Sequence, residues 1–279
     1  MCRHLAYVGP PEPVGELLTR GVHALRTQAW APRDMRGGGT INADGFGVAW
    51  WRASDHPGKP RVSRYRNAAP IWTDPAVEEV LPQIESTAVL AAVRSATVGM
   101  PVERAACAPF TDDGWAFSHN GVVPNWRKAL TATLADLDSA ATRAGATRMF
   151  QTADLLDAES ATDSAALWVL LRGLLTPGAP PDLVAGPADA LRLLLTTVLA
   201  HAPAARLNFL LGDGSTIWAT AWEHALSALV TDDYAIVASE PYDADPRWRP
   251  IPDHSLVIAA PGRLTIEPLD RRDAENASP

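Results

Sequence analysis

Cysteine is scarce in this chain of 279 residues, with only Cys2 and Cys107. That excludes a disulfide scaffold and a cysteine-rich metal site, and a lone Cys2–Cys107 bridge is not the expected state of a reducing compartment. Basic charge is also short, with 24 Lys and Arg against 32 Asp and Glu for a net charge of -8. No basic run is interleaved with aromatic residues, so a nucleic-acid or anionic-membrane surface is not expected. No apolar run approaches the ~20 residues of a membrane span. The N-terminus, Met1-Cys2-Arg3-His4-Leu5-Ala6-Tyr7, lacks the apolar core of a secretory signal. A cytoplasmic protein acting on a small molecule is the resulting expectation. The seven histidines show no close ligand pairing, so neither a metal nor another cofactor is expected.

What is present is an ordinary globular composition, 47% hydrophobic and 20% charged, with ten tryptophans. Strands are predicted over 3–8, ending at Gly9-Pro10-Pro11, and over 45–51, 88–93 and 115–119. In the last of these, Trp115, Phe117 and His119 alternate with Ala116 and Ser118. The middle is helical. Leu167, Leu170, Leu171, Leu174 and Leu175 keep helical spacing, as do Leu191, Leu194, Leu195, Val198 and Leu199. Strand patterns return over 207–211, 216–222, 226–230, 234–238 and 255–259. Strands flanking a helical middle predict an α+β fold with antiparallel sheets covered by helices. The Ala/Thr-rich stretch 129–162 is weakly periodic and reads as containing a mobile insertion. One domain is expected over 1–260, followed by a C-terminal strand and polar tail over 261–279.

The chemistry starts at position 2. A small residue after the initiator Met is a substrate for methionine aminopeptidase, which would leave a thiol and a free α-amine on Cys2. That amine titrates near ~7.7–8.0, so it can act as a base without a histidine. Alone, Cys2 reads more readily as a small buried hydrophobe, since a buried Cys is usually inert. Three segments add to it. Arg94-Ser95-Ala96-Thr97-Val98-Gly99 puts an Arg at a strand exit, placed either for bidentate carboxylate capture or for surface pairing. Ser118-His119-Asn120-Gly121 is either a type I′ hairpin turn or a pair of donors for an oxyanion. In Thr162-Asp163-Ser164, Asp163 is an ordinary helix N-cap or a partner for a substrate ammonium.

In this order, these residues resemble the class II glutamine amidotransferase domain, a family of N-terminal-nucleophile hydrolases. The likeness includes Asn42-Ala43-Asp44-Gly45-Phe46-Gly47-Val48-Ala49-Trp50, similar to the family's Asp-Gly-x-Gly segment. Trp30-Ala31-Pro32-Arg33-Asp34-Met35-Arg36-Gly37-Gly38-Gly39 and Val237-Ala238-Ser239-Glu240-Pro241 resemble a stand-alone branch acting in ergothioneine biosynthesis, the γ-glutamyl-hercynylcysteine sulfoxide hydrolases. The resemblance implies a four-layer αββα sandwich. It also implies that Cys2 is nucleophile and, through its amine, general base, and that Asn120 and Gly121 form the oxyanion hole. Arg94 with Thr97 would hold the glutamyl α-carboxylate and Asp163 its α-ammonium. Trp30, Arg33 or Asp34 would contribute to a pocket for the trimethylammonium-bearing leaving group, since an aromatic face binds such a cation.

Two departures from the family pattern stand out. Val98 occupies a position where many amidotransferases have His, and Ser164-Ala165 lacks the acidic residue common beyond the Asp. No synthase, sugar-isomerase or phosphoribosyl segment follows, which suits a hydrolase that releases its amine product to water. A general glutaminase or γ-glutamyl amidase, a non-catalytic binding relative and a glutaminase subunit that feeds ammonia to a partner are the competing readings.

Bacterial expression is expected to yield protein without Met1, and diazo-oxo-norleucine should then add once, at Cys2. Intact mass with peptide mapping checks this, and retained Met1 with no adduct would favour the binding relative.

Overall fold

A computed structural model of the chain describes residues 2–34, 41–52, 61–147 and 149–269. The strands are β1 (Arg3–Pro13), β2 (Phe46–Arg52), β3 (Arg61–Asn67), β4 (Glu85–Val93), β5 (Phe110–Asp112), β6 (Trp115–Val122) and β7 (Arg206–Gly212). After these come β8 (Ile217–Ala221), β9 (Ser227–Val230), β10 (Ala235–Ala238), β11 (Arg249–Pro250), β12 (Ser255–Ala260) and β13 (Arg263–Pro268). Three short helices, α1 (Val14–Thr19), α2 (Leu25–Gln28) and α3 (Ala76–Glu79), precede three longer ones, α4 (Trp126–Arg143), α5 (Asp163–Leu174) and α6 (Pro187–His201).

Two antiparallel sheets form, one in the order β11-β9-β10-β1-β4-β2-β3 and the other β13-β12-β8-β7-β6-β5. The two-residue period of each strand assigns its side chains to layers. In β1, Leu5 and Tyr7 join the core under α1 and α2, whereas Ala6 and Val8 face the second sheet. In β6, Phe117 packs toward the long helices while Ala116 lies between the sheets. The layer between the sheets is rich in alanine, including Ala49, Ala88, Ala219 and Ala259, and both outer faces are covered by helices. The result is the expected α+β, four-layer αββα sandwich.

Several local expectations are corrected. β1 does not stop at Gly9-Pro10-Pro11. It runs to Pro13 through a register shift between Val8 and Glu12. The Tyr7 hydroxyl donates to the Pro10 carbonyl at 2.6 Å, and a Cβ at Gly9 would meet Tyr234 at 2.5 Å, so the strand bends closely around Tyr7. Asn120-Gly121 is not a hairpin turn. Both residues lie within β6, opposite Asn208 and Leu207 of β7.

Residues 129–143 of the 129–162 stretch belong to the regular helix α4, with Leu130, Thr133, Leu134, Leu137 and Ala141 buried. Its apolar signal is diluted because small Ala and Thr side chains share the buried seam. Edge strand β3 escaped the pattern for a related reason, since it is not buried on a full face. The tail 270–279, and 35–39 of the segment beginning at Trp30, lie outside the described residues.

Phe117 is fully buried, stacked on Trp168 at 5.7 Å between ring centroids and tilted against Phe209 at 5.6 Å. Phe117→Ala should destabilise the fold by about 3–5 kcal/mol, seen as a lower urea midpoint at unchanged slope.

Candidate active site

The pairing of β1 with β4 sets Arg3 opposite Val93, and one further step along this register sets Cys2 opposite Arg94. Two adjacent strands of one sheet thus end together, one at the thiol and the other at the guanidinium. Cys2 is half-buried, with its Sγ 3.8 Å from the Ser95 carbonyl. The Arg94 backbone is bracketed by the preceding motif. Its N–H donates to the Gly45 carbonyl at 2.8 Å, and its carbonyl accepts from Asp44 N at 2.9 Å. Gly45 adopts φ +116, and a Cβ there would lie 2.3 Å from the Cys107 sulfur. Glycine is required on both counts. Cys107 is buried behind it, free of any disulfide, and burial pushes its thiol up to about 11. A thiol held protonated is a poor nucleophile.

Immediately after Cys2 the chain is gripped on both faces of the sheet. On the outer face, the buried Glu240 carboxylate accepts from Arg3 Nε at 2.7 Å and from Asp34 N at 3.2 Å through Oε1. Its Oε2 accepts from Arg33 N at 2.8 Å and lies 2.6 Å from His23 Nε2. Burial alone would raise this carboxyl. The bonds from His23, Arg33 N and Arg3 outweigh that and hold it below the ordinary carboxylate range. Arg3 in turn donates to the Cys2 carbonyl through Nη1 at 2.9 Å and to the Asp34 carbonyl through Nη2. On the inner face, Ser239 N donates to the His4 carbonyl at 2.9 Å, and Ser239 Oγ accepts from His4 N at 3.0 Å. Arg3, Ser239, Glu240 and His23 received no role from the sequence. Their signal was a polar Ser-Glu pair closing an apolar strand, with one residue for each face.

Asn120 is buried between the sheets, and its Nδ2 lies 3.4 Å from Ser239 Oγ. Its Oδ1 has no hydrogen-bond partner among the described residues. A Cβ at Gly121 would lie 1.9 Å from the Arg206 carbonyl oxygen, so the close approach of β7 demands glycine there.

Asp163 is the first residue of α5 and not its N-cap. Thr162 caps the helix, its Oγ1 accepting from Ala165 N at 3.1 Å. The buried Asp163 carboxylate accepts from Val123 N at 2.9 Å and from Ser164 N at 2.8 Å, tying α5 to the end of β6. Thr97 is exposed in the turn whose carbonyl accepts from Met100 N at 2.9 Å, and the structure does not bury it with Arg94. The Arg94 guanidinium is largely buried and donates to the Pro101 carbonyl at 2.9 Å. Trp30 is 43% exposed and meets Trp72 edge-on at 5.5 Å. Arg33 and Asp34, with His23, Ser239, Glu240 and Asp243, line a cavity of about 700 Å³ beside this cluster.

His4, His119 and His224 are pushed toward the neutral form. Burial, then the charges of His119, His224 and Arg3, lower His4 to about 3. Burial, then Arg206 and Arg3, do the same to His224. His119 is also lowered by burial, although Asp163 opposes this, and its ring nitrogens lie 3.0 Å from Ser164 Oγ and 2.9 Å from the Arg206 carbonyl. Bases this weak do not take a thiol proton near neutrality. At the surface, Glu223, Asp253 and His254 bring ligand atoms within 4.8 Å of one another, a grouping that exposed acidic residues commonly form without an ion.

The chain was then compared with known proteins. A family model described as class II glutamine amidotransferases matches residues 23–231. The gamma-glutamyl-hercynylcysteine sulfoxide hydrolase of Mycolicibacterium smegmatis is 37% identical over 96% of this chain and 100% of its own. The protein of the same name from Mycobacterium tuberculosis (strain CDC 1551 / Oshkosh) is 39% identical over 97% of this chain and 98% of its own. Among solved structures, a glutamine aminotransferase class-II domain protein from Silicibacter pomeroyi is 22% identical, with a TM-score of 0.56 over 96% of this chain and 100% of that one. Glutamine phosphoribosylpyrophosphate amidotransferase from B. subtilis is 15% identical, with a TM-score of 0.56 over 96% of this chain and 49% of that one. The two structures share the fold.

The lowered imidazoles fix a pH dependence. His4 and His224 titrate near 3 in the folded chain and near ~6.5 when unfolded. Their contribution to stability is complete above the unfolded value and lost as pH falls toward the folded one. Urea titrations from pH 6 to pH 5 should therefore show unfolding coupled to uptake of at least about two protons, or roughly 1.4 kcal/mol per pH unit for each histidine. A stability independent of pH over that window would contradict the neutral assignment.

Proposed function

The chain belongs to the class II glutamine amidotransferase family, and on that premise we propose that it is an amidohydrolase cleaving γ-glutamyl-hercynylcysteine S-oxide to glutamate and hercynylcysteine S-oxide, a step of ergothioneine biosynthesis. The end-to-end similarity to relatives that carry this activity in their names is the observation behind the substrate. The neighbouring ends of β1 and β4, which carry Cys2 and Arg94, and the link from Asn120 through Ser239 to His4 support the chemistry.

In this reading, the Cys2 α-amine, freed by loss of Met1, takes the thiol proton, and Sγ attacks the γ-carbonyl carbon. The developing oxyanion is met by the Asn120 amide and the Gly121 N–H. As the C–N bond breaks, the Cys2 ammonium returns the proton to the departing nitrogen, leaving a γ-glutamyl thioester. Water, deprotonated by the same amine, then forms the new C–O bond as the C–S bond breaks, restoring the thiol. The neutral histidines favour the α-amine as base. Arg94 binds the glutamyl α-carboxylate, Thr97 contributes from its turn, and Asp163 faces the α-ammonium. The leaving group extends toward Trp30, Arg33 and Asp34, where the cavity also presents the Asp243 carboxylate to a cation.

Steady-state release of glutamate from this substrate and from free glutamine is the test. The hercynyl conjugate should be preferred in kcat/KM by about 10²-fold or more, the scale reached by a fitted pocket. Equal values would make the chain a general γ-glutamyl amidase, and a thiol inert to both would leave only binding.

A further inference from the structure

We infer that Ser239 is a positioning residue for the reaction, fixing the Asn120 amide relative to the strand that carries Cys2. The inference rests on the oxyanion role of Asn120 in the reading above. Asn120 is 1% exposed, and its side chain makes one hydrogen bond among the described residues, from Nδ2 to Ser239 Oγ at 3.4 Å. One N–H of the amide is directed at that hydroxyl, which leaves the other for an oxyanion.

Ser239 is itself held by two bonds to one residue. Its N–H reaches the His4 carbonyl at 2.9 Å, and its Oγ receives the His4 N–H at 3.0 Å. His4 lies two residues from the nucleophile on β1, whereas Asn120 lies on β6 of the other sheet. A single hydroxyl therefore spans the two sheets and sets the distance between nucleophile and oxyanion donor. The anchor is stiff. On the opposite face, the next residue, Glu240, holds Arg3 at 2.7 Å, so the backbone at Arg3 and His4 is fixed from both sides. A donor displaced by a fraction of an ångström loses much of its effect on a transition-state charge while substrate binding is little altered.

A double-mutant cycle tests this, run on whichever γ-glutamyl amide the wild type hydrolyses, so that the outcome is independent of the leaving group. Asn120→Ala should lower kcat by about 10²–10³-fold, as for loss of an oxyanion donor. Ser239→Ala should lower kcat by about 10-fold with KM changed less than about twofold, the signature of an interaction made in the transition state. Added to Asn120→Ala, it should cost no further activity within about twofold, because the two residues act as one unit. Ser239→Thr, which keeps the hydroxyl, should restore most of kcat. If Ser239→Ala does not fold, Ser239→Cys keeps the size, weakens the acceptor and should show the same split. Equal losses from Ser239→Ala in both backgrounds, or a loss carried by KM, would overturn the inference and leave the proposed activity intact. Full activity in Asn120→Ala would overturn the oxyanion assignment and this inference with it.

Discussion

A carboxylate and a guanidinium buried together beside the N-terminus place a demand on everything around them, because neither can lose its partner without leaving an uncompensated charge in the interior. Glu240 meets that demand with donors from four residues: Arg3, His23 and the backbone of Arg33 and Asp34. Arg3 and Glu240 are 237 residues apart, so the ion pair ties the start of β1 to the end of its sheet neighbour β10. The guanidinium then carries the constraint to the Cys2 carbonyl and to the loop ending at Asp34. The Cys2 backbone and one wall of the adjacent cavity are thereby tied to the same ion pair.

The low polarity between the sheets has a chemical consequence. His4 and His224 sit where a charged ring would be desolvated, so they contribute shape and hydrogen bonds and not proton transfer. The two cysteines are separated by the same means, since the buried thiol of Cys107 is held protonated while Cys2 remains half-buried. Rings of His4 and His224 held neutral beside a half-buried Cys2 thiol are consistent with a nucleophile that supplies its own base.

The legible parts of the fold were those with strong periodicity. α5, α6 and the central strands were readable because each buries a complete stripe or face. α4 was not, since alanine and threonine at its contacts give little hydrophobic contrast against an exposed face. Asn120-Gly121 shows the limit of local rules. The dipeptide has a strong turn preference, yet pairing with Asn208 and Leu207 and the close approach of the Arg206 carbonyl keep it extended. The glycine is needed for space there, not for a positive φ.

The sequence by itself determined the chemistry at hand: a cysteine at position 2, an Arg at a strand exit, an Asn-Gly pair, and too few cysteines and basic residues for other classes. It also determined the class of fold, through strand and helix periods set by side chains close in the chain. What only the tertiary structure decided is which of those groups meet and what holds them. Ser239 and Glu240 are neighbours just past the end of β10, their side chains leave by opposite faces, and their partners, Asn120 and Arg3, come from different sheets. The family resemblance paired Thr97 with Arg94, but Thr97 lies exposed in its turn. Contacts between distant segments depend on how sheets stack and in which register strands pair, and no local spacing encodes those distances.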